Sequence, residues 1–170
     1  MLRRSRSRSR AIGGAVSVLL PALALLLSTG AREACAQTVT LTNTRGLDFG
    51  RFVANTGGTV IVPTTGAPSS TLGVILLNSP TIGPAQFSLS RSKSGGTIKS
   101  VSITLPANGS VQLTSGSNSM AVNSFVCSPA TLATITTTPT TLTVGATLTV
   151  AANQPAGSYS GSFPLIVNFQ

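Results

Sequence analysis

Beyond residue 36, apolar and polar residues alternate with a period of two along most of the chain. The longest example runs from Thr141 to Val150. Leu142, Val144, Ala146, Leu148 and Val150 fall on one face, and Thr141, Thr143, Gly145, Thr147 and Thr149 on the other. Successive side chains of a strand point to opposite faces, so this pattern predicts a half-buried strand and not a helix. Residues 38–42 and 87–90 alternate in the same way, and shorter apolar runs predict strands at 59–62, 73–77, 101–105, 111–114 and 120–127. Gly, Pro, Asn and Ser clusters at 55–58, 63–70, 94–96, 107–110 and 153–157 read as the turns between them. The Thr-rich stretch 131–140 fits a strand, a long loop or an O-glycosylated segment. Many short strands joined by turns predict an all-β protein, an antiparallel sandwich or a small barrel.

The first 36 residues have a different pattern. Arg3, Arg4, Arg6, Arg8 and Arg10 precede an apolar stretch from Ala11 to Leu27, and a small-residue region ends in Ala34-Cys35-Ala36. These are the basic, apolar and cleavage regions of a secretory signal peptide, expected to be helical and read by the Sec route. Pro21 and the short apolar run argue against a retained membrane helix. Cleavage after Ala36 leaves one domain, residues 37–170, with no membrane span; cleavage after Ala31 is the alternative. The expected location is the periplasm, the cell surface or the extracellular medium.

Removing the signal changes the charge and the chemistry. The whole chain carries +9, but beyond residue 36 only Arg45, Arg51, Arg91, Lys93 and Lys99 remain, against Asp48. So few cations, with no aromatics interleaved, do not suggest a nucleic-acid partner. The chain has no histidine and only two acids, Glu33 and Asp48. General acid–base catalysis and metal binding need a His, paired carboxylates or thiolates, so no catalytic, cofactor-binding or metal-ligating residues are expected and the protein reads as non-enzymatic. Cys35 leaves with the signal, so Cys127 has no disulfide partner in its own chain; beside Phe125-Val126 it reads as a small buried hydrophobe. Phe49, Phe52, Phe87 and Phe125 read as core. Asp48 is expected to bond to a nearby backbone N–H or to pair with Arg45 or Arg51. Arg91, Lys93 and Lys99 flank Ser94-Gly95-Gly96, where charges near strand ends keep edges soluble or touch an acidic polysaccharide.

The chain ends Gly-Ser-Tyr-Ser-Gly-Ser-Phe-Pro-Leu-Ile-Val-Asn-Phe-Gln from Gly157 to Gln170. Tyr159, Gly161, Phe163, Leu165, Val167 and Phe169 share one face of a strand predicted over all of 157–170. Pro164 lacks an N–H and fits an edge strand, and an edge is where another chain can add a strand. Gly157, Phe163, Leu165, Val167 and Phe169 are therefore the candidate strand-pairing or assembly residues.

The segments Gly46-Leu47-Asp48-Phe49-Gly50, Gly57-Gly58-Thr59-Val60, Leu142-Thr143-Val144-Gly145-Ala146-Thr147-Leu148 and Gly157-Ser158-Tyr159-Ser160-Gly161 resemble the domain of unknown function 4402 family. Those bacterial secreted proteins are similar to spore coat protein U and to fimbrial subunits. The resemblance implies a pilin-like, immunoglobulin-like sandwich with a fimbrial or cell-surface role. It also implies that Gly157 and Phe169 match the glycine and penultimate aromatic that end fimbrial subunits, whose last strand is capped by a periplasmic chaperone and then flanks a groove filled by a neighbouring copy. The plainer reading makes this the last strand of a self-complete sandwich, with Gly157 at a turn. Only Gln37 to Asn43 and the short link 44–46 precede the Leu47–Gly50 motif, so Val39 and Leu41 are candidates for the first core strand rather than for a donated extension.

Two function classes follow. One is a structural or interaction protein of the bacterial cell envelope, a fimbria-like or surface-coat subunit that meets copies of itself or a periplasmic chaperone. The other is a monomeric secreted module that recognises a surface glycan or a protein through its loops.

Overall fold

A computed structural model describes residues 38–92 and 98–169. The signal region, Lys93 and the Ser94-Gly95-Gly96 turn lie outside the described residues. The described residues form ten strands: β1 Val39–Arg45, β2 Phe52–Val62, β3 Ser69–Leu76, β4 Ala85–Arg91, β5 Ile98–Thr104, β6 Val111–Ser115, β7 Asn118–Ser128, β8 Thr131–Ile135, β9 Thr140–Val150 and β10 Ile166–Phe169. Every pairing is antiparallel.

The architecture is organised around β9, the strand with the clearest alternation. Its five predicted inward residues, Leu142, Val144, Ala146, Leu148 and Val150, are all buried. Along one edge β9 pairs with β7. Two strands share the other edge in tandem: Thr140–Val144 pairs with β4 and Ala146–Val150 pairs with β2. Gly145 sits between them, and a Cβ there would collide with the carbonyl of Val62, where β2 leaves the sheet. β1 flanks β4, β3 flanks β2, and β6 flanks β7, making a seven-stranded sheet. The order β10-β5-β8 makes a second, three-stranded sheet.

Two apolar clusters fill the interior. Ala85, Phe87 and Leu89 of β4, with Leu142 and Val144, meet Val101 of β5 and Ile135 of β8, so this cluster lies between the two sheets. Val60, Val62, Val74, Val111, Met120, Val122, Ala146, Leu148 and Val150 form the other, with Phe49, inside the curl of the larger sheet. Val39 and Leu41 pack against the first cluster, so they belong to the first core strand.

Two elements differ from the sequence reading, and a third settles between its alternatives. The 55–58 cluster is no turn: β2 runs through it with a register shift between Ala54 and Gly58, the extra residues bulging out of the ladder. The Thr-rich stretch contains a strand, β8, paired with β5. The final strand is not continuous over 157–170. Only Ile166–Phe169 pairs as a strand, and Ser160 makes an isolated bridge to Thr114.

Candidate functional site

Two stretches of chain face each other along one side of the sandwich. The first, residues 43–54, leads from β1 into β2. Arg45 fixes its path: its Nη2 donates to the carbonyls of Thr81 at 2.8 Å and Ile82 at 3.1 Å. Gly83 makes room for this clamp, since a Cβ there would lie 2.6 Å from the guanidinium. Asp48 exchanges both backbone hydrogen bonds with Gly83, at 3.0 and 2.9 Å. Its Oδ1 accepts from the Gly50 N–H at 2.7 Å, holding Gly50 in the left-handed region at φ 72°. The carboxylate thus takes the backbone N–H expected of it, while Arg45 spends its Nη2 donors on main-chain carbonyls. The result is a fixed turn that carries Leu47 and Phe49 inward.

The second stretch, residues 154–165, lies against β6. Gln154 Nε2 donates to the Tyr159 hydroxyl at 2.9 Å, which donates to the Pro155 carbonyl at 2.8 Å. Ser160 exchanges backbone bonds with Thr114 at 2.8 and 3.1 Å. Two glycines permit this approach. A Cβ on Gly161 would lie 2.5 Å from the Gln112 carbonyl, and one on Gly157 would lie 2.6 Å from Ser115 Oγ.

Between the two stretches runs a groove made of two connected hollows that share Leu47, Phe49, Leu113 and Gly161. The lower hollow, about 410 Å³, has a floor of Phe87, Val111, Val122 and Phe125 with Phe163 on one wall. The Phe163 ring stands edge-on to Phe87, with centroids 6.2 Å apart, and tilts against Phe125 at 5.2 Å. The upper hollow, about 830 Å³, is wider and more polar, with Arg51, Gln154 and Tyr159 around Phe52, Met120 and Leu148.

The main chain bordering this groove is half used. Among the described residues, β1 pairs only with β4, and β10 only with β5. Within 157–165, only Ser160 makes backbone bonds, and these point toward β6. Main-chain donors and acceptors must find partners, in water or in another strand. An apolar floor beside unpaired strand edges is the arrangement that accepts an extended segment by strand addition, with alternate side chains entering the hollows.

The residues singled out from the sequence are distributed as follows. Phe163, Leu165 and Val167 are half-buried against the core between the sheets, while Ser162, Pro164, Ile166 and Asn168 are exposed, as the alternation requires. The Phe169 backbone pairs with Val101, and Gly157 is exposed beside β6. The opposite wall, Asn43 to Ala54, and the Phe87–Phe125 floor were not anticipated as parts of a site. Phe87 and Phe125 in strands, and Leu47 and Phe49 in the link between β1 and β2, carry the signal of large apolar residues, but that signal cannot tell a sealed core from a groove.

Cys127 is half-buried, with Sγ 3.4 Å from the Pro129 carbonyl, and burial pushes its thiol pKa up. That is the environment of an inert thiol. Among the described residues no three His, Cys, Asp or Glu side chains come together, and no helix is long and apolar enough to cross a membrane. The Lys99 backbone pairs with Thr134.

Comparison with known families gives one match: the model of a domain of unknown function, DUF4402, fits residues 39–169. No curated protein and no solved structure matches the chain.

Proposed function

The chain belongs to the DUF4402 family, and on that premise we propose that it is an exported, non-enzymatic structural protein of the bacterial cell envelope. In this reading it is a fimbria-like or surface-coat subunit. Its groove receives an extended strand from another chain, either a second copy or a periplasmic chaperone. The observation that carries the reading is the open seam: an apolar floor of Phe87, Val111, Val122 and Phe125 lying between unpaired edges of the two walls. The motif-level likeness to spore coat protein U and fimbrial subunits points the same way, as does the signal-like start.

Light scattering on protein recovered from the periplasm tests this, with mass spectrometry of the chains that come with it. Multimers, or a stoichiometric companion that shields 43–54 and 157–169 from deuterium exchange, are expected. A stable monomer with no companion at high concentration contradicts the reading. It would favour the second one, a monomeric module holding a glycan in the upper hollow beside Arg51, Gln154 and Tyr159.

A further inference from the structure

A second surface adjoins the seam, sharing Val53 and Leu77 with the rim of the upper hollow and extending outward from it along β3. Of the large hydrophobic side chains left exposed, Val53, Leu72, Ile75 and Leu77 belong to the β2–β3 hairpin and its end; Ile75 is 65 % and Leu72 88 % exposed. Val53 and Ile75 are directly paired across the two strands, and Leu77 follows on the same face, its N–H donating to the Arg51 carbonyl at 2.8 Å. β3 is the outermost strand of its sheet, and no charged residue or proline occurs from Ser69 to Leu77. Natural edge strands are normally blunted by Lys, Pro or inward charges, and this one carries none of these. An apolar patch on such an edge marks a contact surface.

We propose that this edge pairs with the same edge of a second copy, antiparallel and about a two-fold axis through Ile75. Three observations select a second copy. First, Leu72 has a left-handed φ of 55°, which kinks β3 and leaves 73–77 as the straight run, a five-residue segment centred on Ile75. Second, hydrogen-bonding direction alternates along an antiparallel strand. Since Leu77 bonds inward to Arg51, Ile75 does too, and Val74 and Leu76 present their N–H and C=O groups outward. Rotation about Ile75 brings Val74 of one copy opposite Leu76 of the other, so the groups that need partners meet each other. On the solvent face, Ile75 meets Ile75 and Leu77 lies opposite Gly73, beside which the Thr56 side chain of β2 takes up the space a Cβ would fill. Third, the charges permit it. The nearest cation in the chain, Arg51, immediately precedes β2 opposite Leu77, so two Arg51 side chains are separated by three strand spacings of about 4.8 Å and by opposite ends of the paired run. That exceeds the screening length of ~8 Å at physiological salt. This contact uses β3, which does not depend on what fills the seam.

Cysteine cross-linking in a Cys127→Ser background tests the proposal. At a non-hydrogen-bonded antiparallel pair the Cα atoms approach to about 4.5 Å, within disulfide range. Ile75→Cys is therefore expected to form a disulfide dimer under mild oxidation at least tenfold faster than Val53→Cys. Val53 is comparably exposed, at 53 %, but it lies one strand further from the axis in each copy. Ile75→Lys, which places two ammonium groups on the axis, is expected to abolish concentration-dependent association through this edge while leaving any seam-mediated assembly intact. Equal cross-linking rates for the two cysteine variants, or capture of a different chain by Ile75→Cys, would overturn it.

Discussion

Single residues decide where this chain can bend and where it can approach itself. At Gly145, β9 passes from β4 to β2 as its neighbour, and the chain leaving β2 crosses directly over the glycine. Gly145→Ala drives a methyl into the Val62 carbonyl and the backbone of Pro63 and Thr64, which have no slack to give. A loss of about 1–3 kcal/mol is expected in urea denaturation. Gly46→Ala, with nothing within 4 Å of its Cβ position, is expected to change stability by less than about 0.5 kcal/mol. Cys127 gives a second test. Burial favours its neutral thiol, raising the folded pKa above the unfolded value. Its contribution to stability is therefore complete below the unfolded thiol pKa and fades as pH rises through the folded one. Native protein at pH 8 is expected to alkylate several-fold more slowly than urea-unfolded protein, in a timed maleimide-labelling assay. At this scale the sequence was partly legible. That Asp48 needed a local partner could be read from its flanks, Leu47 and Phe49. That Arg45 would instead grip Thr81 and Ile82 could not, because 36 residues separate Arg45 from Thr81.

Among the elements, alternation located strands well and strand continuity poorly. β9 and β4 are legible because one face of each is fully buried, so the period of two is enforced along their length. The 157–169 stretch obeys the same period, and its inward residues are the half-buried ones. Yet pairing fails over most of it: its neighbour β6 ends the contact at Thr114–Ser160, and β5 resumes it only at Ile166–Thr104. No local pattern reports which neighbour a strand will have. For β8 the sequence allowed a strand or a loop, for another reason. Thr favours strands but shows little contrast between faces, so only Leu132 and the fully buried Ile135 pack against the core. Phe163 is the residue that fastens the last stretch to the body, through Phe87 and Phe125. Phe163→Ala is expected to cost about 2–4 kcal/mol in thermal or urea unfolding, at or below the range for fully buried Phe. Asn168→Ala, which removes only an exposed side-chain bond to Thr104 Oγ1 at 2.9 Å, is expected to cost less than about 1 kcal/mol.

The molecule as a whole is a sandwich with a groove along one side. Within the larger sheet β7 pairs with both β9 and β6. Along the grooved side, 43–54 and 154–163 stand across a hollow with aromatic floor residues beneath. Composition shaped the proposal for function, since a chain without histidine and with only two acids, Glu33 and Asp48, has little for acid–base chemistry. It could not reveal the seam, which exists only once Leu47 and Phe49, Phe125 and Phe163 are brought together from three distant parts of the chain. The most direct measurement is backbone hydrogen exchange, read by mass spectrometry, on isolated monomer and on protein recovered assembled from cells. The account predicts that in the monomer the amides of 157–165 exchange orders of magnitude faster than those of β9, and that in the assembled material they become protected together with 43–50. Protection of 157–165 in the monomer equal to that of β9 would mean the sandwich closes on its own strands, and would contradict it.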